Sequence, residues 1–334
     1  MRNYVVGMYD KTQNEAGPKA KRDIEKFLGE LGFQTINFYF QGARKAELIS
    51  YKQSWWDIPR RLKGLGADNL FFQYPAFNQR TNEAILTSAK QNAAKVYLII
   101  HDVESLREFS NDSTFINWEI NFFNQSDGLI VHNAKMQQWL KQNGVQVPMV
   151  DLQIFDYDNP QPLIKQVQYQ GSLCYAGNLA KAEFLQELNL KHQLHLFGPN
   201  PSVSLKDAAN YHGSFSPEDL PAHLQGNFGL VWDGNQVEQT VGKFGAYLKY
   251  NNPHKTSLYL SSGLPVIIAK DAALAGFITS QGLGIAVTSL KELDRELLKI
   301  DAQEYEQMRQ RVQRIAKKIR SGQYIKAAVK QLID

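Results

Sequence analysis

Short apolar blocks, separated by longer stretches in which apolar residues recur every three or four positions, run through the first half of the chain. That alternation marks βα units wound around a parallel sheet: a strand covered on both faces needs a continuous apolar run, while its covering helix needs only one apolar stripe. The blocks predict strands near Tyr4 to Tyr9, Gln34 to Phe40, Asn69 to Gln73, Lys95 to Ile100, Gly128 to His132 and Pro148 to Leu152. The amphipathic stretches predict helices near Pro18 to Leu31, Arg44 to Leu65, Thr81 to Asn92, Ser113 to Asn124 and Ala134 to Asn143, several of them closed by a glycine stop at Gly32, Gly66 or Gly144.

From Phe155 to Tyr169 the period is lost and the residues turn polar, which predicts a linker. A second series follows, with strands near Leu173 to Ala176, Gln193 to Phe197, Phe228 to Trp232, Pro265 to Ala269 and Gly284 to Val287. The expected fold class is therefore α/β, with two Rossmann-like parallel-sheet domains facing a cleft, spanning residues 1–155 and 156–315. Near the end, Met308, Val312, Ile315 and Ile319 recur at helical spacing among Arg309, Arg311, Arg314, Lys317, Lys318 and Arg320, which predicts a surface helix with a solvated basic face. Residues 316–334 are expected to cross back and brace the first domain.

Composition narrows the function classes. The 334 residues carry 37 basic and 33 acidic groups for a net charge of +4, too slight a bias to call for nucleic acid. Cys174 stands alone, so neither a disulfide framework nor a CxxC redox or zinc site can form within the chain. The segment Asp10 to Lys19 after the first strand contains neither GxGxxG nor GxxxxGK[ST], which argues against a standard dinucleotide or P-loop site and against a nicotinamide-dependent epimerase or reductase. No HExxH occurs, and no metal is expected. The N-terminal ten residues lack a signal-peptide pattern and no apolar run reaches the ~20 residues of a membrane span, so a cytoplasmic protein without a transmembrane segment is expected.

Ligands of open α/β sheets bind beyond the carboxyl ends of the strands, so the candidate chemistry lies in the loops that follow them. The strongest signal is Tyr250-Asn251-Asn252-Pro253-His254-Lys255-Thr256-Ser257, read as a capped helix start: Asn252 as N-cap, Pro253 in the first turn, and the N–H groups of His254, Lys255 and Thr256 pointing outward with the positive end of the dipole. With the Lys255 ammonium and the Thr256 and Ser257 hydroxyls, such a start suits a diphosphate; a capped helix with a solvated lysine is the alternative. Asn178 and Lys181 repeat the arrangement after the strand ending at Ala176, and a lysine in a first helical turn is unfavourable unless an anion is near. Gly17 permits either a tight turn or a close approach to a ligand, and Tyr211 offers an aromatic face for a flat base. In the first half, His101 and Asp102 follow an apolar strand directly and are candidates for a general base acting on a hydroxyl, while Asp102 can equally cap the short helix that opens at Glu104. His132 after the next strand reads as a satisfied structural histidine.

The run Asn252-Pro253-His254-Lys255-Thr256-Ser257-Leu258-Tyr259-Leu260-Ser261-Ser262-Gly263-Leu264-Pro265-Val266, with Gly177-Asn178-Leu179, His212-Gly213-Ser214-Phe215 and Gly229-Leu230-Val231-Trp232-Asp233-Gly234, resembles the glucosyltransferase 3 family of the serine-rich-repeat adhesin glycosylation systems. The resemblance extends to His101-Asp102-Val103-Glu104 and covers nearly the whole chain. It implies a GT-B fold and transfer of a hexose, glucose by expectation, from a UDP-sugar to N-acetylglucosamine on serine or threonine of the adhesin, without metal and with inversion. It further implies donor binding mainly in the second domain, through Asn178, Lys181, Tyr211, Asn252, His254, Lys255, Thr256 and Ser257, with Gly17 on the Asp10 to Lys19 loop that closes over the cleft, acceptor binding at the first domain, a base among Asp102 and His101, and a homotetramer. A non-catalytic nucleotide-sugar-binding partner subunit is the alternative. The stretch from Asn251 to Leu260 lacks the acidic pair that many retaining GT-B enzymes carry.

Overall fold

The computed structural model describes residues 1–10, 16–40, 50–164, 168–202 and 210–334. The chain divides into two compact units, Met1–Leu152 together with Tyr324–Asp334, and Gln153–Gln323.

The first unit holds six parallel strands, β1 (Asn3–Asp10), β2 (Gln34–Phe40), β3 (Ala67–Tyr74), β4 (Ala93–Ile100), β5 (Gly128–Val131) and β6 (Met149–Asp151), in the order β2-β1-β3-β4-β5-β6. The order reverses between β1 and β3, and at such a switch point the two crossovers leave to opposite sides and open a crevice at the strands' carboxyl ends. β3 and β4 pair residue for residue from Ala67 with Ala93 to Tyr74 with Ile100, so Gln73, Tyr74 and His101 arrive at one edge. Leu70, Phe72, Leu98, Ile85 and Leu129 form part of the core between sheet and helices. Two helix starts carry the side-chain caps that their sequence calls for: Asn78 accepts from Thr81 N–H and Asn133 from Met136 N–H, each at 3.0 Å.

The second unit repeats the design with β7 (Leu173–Ala176), β8 (Leu194–Phe197), β9 (Asn210–Tyr211), β10 (Phe228–Val231), β11 (Val266–Ala269) and β12 (Gly284–Val287), in the order β12-β11-β10-β7-β8-β9. Its switch point lies between β7 and β10. The loops after β7 and β8 touch: Gly198 has φ +136°, and a Cβ there would sit 1.8 Å from the Gly177 carbonyl oxygen. Only glycine allows that approach.

Three expectations change. The polar stretch from Phe155 onward is not an exposed linker over its described residues: Phe155, Tyr157 and Asn159 are buried. Its polar groups are used internally, Asn159 Nδ2 donating to Ser261 Oγ at 3.2 Å and Ile164 N–H to the Ser262 carbonyl at 2.9 Å. The basic face of the helix Ala302–Arg320 is not all solvated either. Arg309 donates to the Ile164 carbonyl, and Arg320 to the carbonyls of Ser261 and Gln161. Finally, the element that returns to the first unit is the separate helix Gln323–Ile333, not the whole of 316–334. Lys326 pairs with Glu30 at 2.5 Å, and Tyr97 Oη donates to the Leu332 carbonyl at 3.1 Å. The predicted helix from Arg44 is described only from Ser50 onward.

Candidate functional site

In the second unit, the helix His254–Ser262 brings its N-terminus to the switch point because of one small residue. Gly229 in β10 has no side chain, and a Cβ there would lie 2.1 Å from the Tyr259 ring. Tyr259 therefore lies flat on the strand, and its hydroxyl accepts the Ala176 N–H at 2.8 Å, tying the helix to the end of β7. One turn earlier, Lys255 reaches the crevice. Its Nζ meets Asp233 Oδ1 at 2.6 Å and Tyr175 Oη at 3.2 Å, and lies 4.6 Å from the centroid of the Tyr175 ring. Burial, chiefly, and the Asp233 carboxylate hold the Tyr175 phenol well above its ordinary range, so it stays neutral. The outcome is a half-buried cation fixed by an acid, a phenol and a π face at the carboxyl edge of β7 and β10.

The other predicted donor residues separate. Pro253, not Asn252, occupies the cap position of the helix, and Asn252 Nδ2 instead donates to the Gln153 carbonyl at 3.2 Å. The Thr256 N–H is spent on the Pro253 carbonyl at 2.9 Å, because the first turn is tightened. Thr256 and Ser257 are buried, and Ser257 Oγ donates to the Phe155 carbonyl at 2.7 Å. The Ser257 hydroxyl thus faces the protein rather than the crevice, while Thr256 Oγ1 is buried without a hydrogen-bond partner among the described residues. His254 packs its ring 4.8 Å from that of Tyr157. Asn178 caps a short 3-10 turn, Leu179–Lys181, accepting from Ala180 N–H at 3.1 Å, and receives Asn200 Nδ2 at 3.3 Å. Lys181 closes that turn instead of opening a helix, so the dipole argument does not apply to it; it is exposed and lies 5.2 Å from the Phe244 ring centroid. Tyr211 sits in β9 and donates its hydroxyl to the Gly198 carbonyl at 3.0 Å. Gly17 falls in the first turn of the helix Ala16–Gly29, and its surroundings lie outside the described residues.

In the first unit the edge carries a chain of polar groups. Tyr9 Oη, Asn37 Nδ2 and Gln73 Nε2 all donate to the Glu25 carboxylate, and Gln73 Oε1 faces His101 Nε2 at 3.0 Å. Because Glu25 is the acceptor in three such bonds, the Gln73 amide is oriented with its oxygen toward the ring. His101 Nε2 then donates to the Gln73 oxygen. Asp102 Oδ2 and Glu104 Oε1 both bind Arg107, at 3.0 and 2.8 Å. Burial pushes the Glu104 carboxyl up to about 7 against the pull of Arg107, and burial lowers the Lys21 ammonium to about 8 although Asp102 and Glu25 oppose it. Lys21 Nζ donates to the Pro75 carbonyl at 2.9 Å. Sequence reasoning missed Asp233 and Gln73 because each lies far along the chain from its partner. The strand-end position of Asp233 and Gln73 was the available signal.

His132 is buried with Nε2 on the Ile100 carbonyl at 3.1 Å, and burial holds it down to about 4. Among the described residues no three His, Cys, Asp or Glu side chains cluster as metal ligands, and no helix is long and apolar enough to cross a membrane.

Two parallel-sheet α/β units are also what the comparisons return. Residues 2–154 match the family described as Glucosyltransferase 3-like, N-terminal domain, and residues 173–332 its C-terminal domain. The chain belongs to the glucosyltransferase 3-like family. A β-1,6-galactofuranosyltransferase, WbbI, of Escherichia coli K12 is 37% identical across 99% of this chain and 98% of its own. Glucosyltransferase 3 of Streptococcus gordonii is 29% identical across 100% of this chain and 98% of its own. Among solved structures, a sucrose-phosphate synthase from Thermosynechococcus elongatus matches with a TM-score of 0.62 at 13% identity, covering 100% of this chain and 99% of that one. An α-glucosyltransferase in complex with UDP matches at 0.58 and 12%, with the same coverage. These likenesses are of fold, the GT-B glycosyltransferase fold, and the family member described here is a glycosyltransferase.

Proposed function

We propose that this member of the glucosyltransferase 3-like family moves a hexose from a UDP-sugar to an acceptor hydroxyl, without metal and with inversion. The observation that carries the reading is Lys255, a half-buried cation held at the switch point by Asp233 and Tyr175, beside the N-terminus of the helix His254–Ser262. The diphosphate takes Lys255 as its counter-charge, and the positive end of the helix adds to it. As the bond from the sugar's anomeric carbon to the diphosphate oxygen breaks, the acceptor oxygen attacks that carbon. Its proton passes to the His101 side chain, and UDP leaves with its charge on Lys255. Asp102, bound to Arg107, is the weaker candidate for the base, since an ion-paired carboxylate gives up part of its basicity.

The name of the streptococcal relative, glucosyltransferase 3, supports glucose as the sugar, and N-acetylglucosamine on a serine-rich-repeat adhesin as its acceptor rests on the family resemblance. A second reading is favoured by the E. coli relative, whose name specifies galactofuranose and whose identity, 37% against 29%, is higher. Assembly into a homotetramer rests on the family resemblance alone. The test is UDP release with UDP-glucose, UDP-N-acetylglucosamine, UDP-galactose and UDP-galactofuranose, each with and without a GlcNAc-bearing peptide. Release with UDP-glucose that depends on the peptide supports the first reading. Release confined to UDP-galactofuranose selects the second, and none with any donor overturns the UDP-sugar assignment.

A further inference from the structure

The helical stretch from Ser50 to Leu62, which contains the π turn Gln53–Asp57 and the helix Ile58–Leu62, has an inner face of Ser50, Gln53, Ser54, Ile58 and Leu62, all buried. Its outer face is unusual for a water-exposed helix. Trp55 and Trp56 are 76% and 62% exposed, and Lys52, Arg60 and Lys63 are exposed around them. The spacing 52, 55, 56, 60 and 63 keeps these five residues on one stripe. Asp57 is the single acid between Tyr51 and Lys63 against four basic residues. Tyr39 and Tyr51, both exposed, extend the aromatic surface on either side, Tyr51 carrying the Arg80 guanidinium 3.6 Å from its ring centroid. Two neighbouring indoles left in water forfeit more apolar burial than any other pair of residues could, and such a patch marks a surface that something covers.

We propose that this stripe docks the protein on an anionic phospholipid surface. Indole rings with an apolar body and a polar N–H sit at the headgroup level of a bilayer, and lysine and arginine beside them meet the lipid phosphates while their stems lie along the apolar boundary. Charge complementarity selects this occupant: three exposed cations frame the indoles, and a net positive face repels a second copy of itself. The element lies on the interface rather than crossing it, because its other face is committed to the core of its own unit. It also has a useful position. Gln53 Nε2 donates to the Tyr39 carbonyl at 2.8 Å, which puts the start of the stripe at the carboxyl edge of β2, in the sheet whose β4 ends at His101. The stripe thereby lies in the same unit as the groups to which the proposed reaction passes its proton.

The experiment is co-sedimentation of the full chain with vesicles of phosphatidylcholine alone and of phosphatidylcholine mixed with phosphatidylglycerol, at about 0.1 M and about 0.5 M salt. The wild type should pellet with the anionic vesicles, less at high salt, and remain in solution with the neutral ones. W55A/W56A should lower the bound fraction at least about tenfold, K52E/R60E/K63E should abolish it, and both should keep the wild-type melting temperature because the changed side chains are exposed. Failure of the wild type to pellet with anionic vesicles overturns the proposal, as does equal pelleting by W55A/W56A. If W55A/W56A instead lowers the oligomeric mass by light scattering while vesicle binding is absent, the stripe is an interface between copies. Vesicle binding is read without any sugar substrate, so its failure is distinct from failure of the UDP-sugar reading.

Discussion

The two sheets reverse their strand order at different places, β1/β3 in the first and β7/β10 in the second, and their carboxyl edges differ in chemistry. At the edge of β7 and β10 the decisive group is one fixed cation, Lys255, clamped by Asp233 and Tyr175. At the edge of β3 and β4 the groups are proton carriers, with a histidine oriented through Gln73 by Glu25, and a glutamate, Glu104, raised by burial to about 7. A leaving diphosphate requires charge that stays put, and an attacking hydroxyl requires a site where a proton can land. In the proposed reaction the same scaffold supplies both, because the chemistry lies in the loops after the strands while the strands themselves are occupied with packing.

Breaking the proton side should have the largest effect. His101→Ala is expected to lower kcat by about 10²- to 10⁴-fold with UDP affinity unchanged, measured by turnover and calorimetry; comparable turnover would move the base to Asp102 or Glu104. The neighbouring histidine sharpens the contrast. His132 has a folded pKa of about 4, below its ordinary 6.5, so its neutral form is the one that folding favours. Its contribution is complete above pH 6.5 and is lost as the pH falls toward 4, roughly 3 kcal/mol in all. Denaturation at pH 7, 6, 5 and 4 should show that slope, and His132→Gln should flatten it while turnover at pH 7 persists. On the other edge, Lys255→Ala should weaken UDP binding by about 2 kcal/mol, close to thirtyfold, and leave Asp233 without its cation. Unchanged affinity by calorimetry would show that the ion pair serves the fold alone. The smallest effect is reserved for Ser257→Ala. It should cost about 1 kcal/mol of stability through the lost bond to the Phe155 carbonyl and leave UDP affinity intact, whereas a drop in affinity would return Ser257 to the phosphate site.

Much of the fold was legible because apolar period and capping act locally. Asn133 announces the helix Ala134–Gln142, and Gly263, at φ +92°, ends the helix His254–Ser262. What escaped was where polar side chains turn once the chain is folded. Arg309 and Arg320 look like solvated charges in the sequence and prove to satisfy backbone carbonyls. The polar stretch around Asn159 looks like a linker because its partners, Ser261 and Ser262, lie about a hundred residues away in sequence. The same limit applies to the site. Lys255 was visible from its place at a helix start, but Asp233 was not, since nothing local connects a residue after β10 with one 22 positions later. Lys181 shows the opposite error, a pattern that imitates a helix start where the chain makes only a three-residue turn.

The pairing of Gly229 with Tyr259 bears on how such an enzyme can change its sugar. The helix that carries Lys255 is anchored from beneath, through a ring lying on a bare strand and a hydroxyl bound to Ala176. The segments around Asn178, Gly198 and Tyr211 are joined to one another instead, by contacts between their own loops. Under the proposed function, substitutions around Asn178 and Tyr211, with Gly198 kept, alter donor choice while the anchor stays in register. Engineering of donor choice should therefore leave the glycine and the tyrosine untouched and vary the loops.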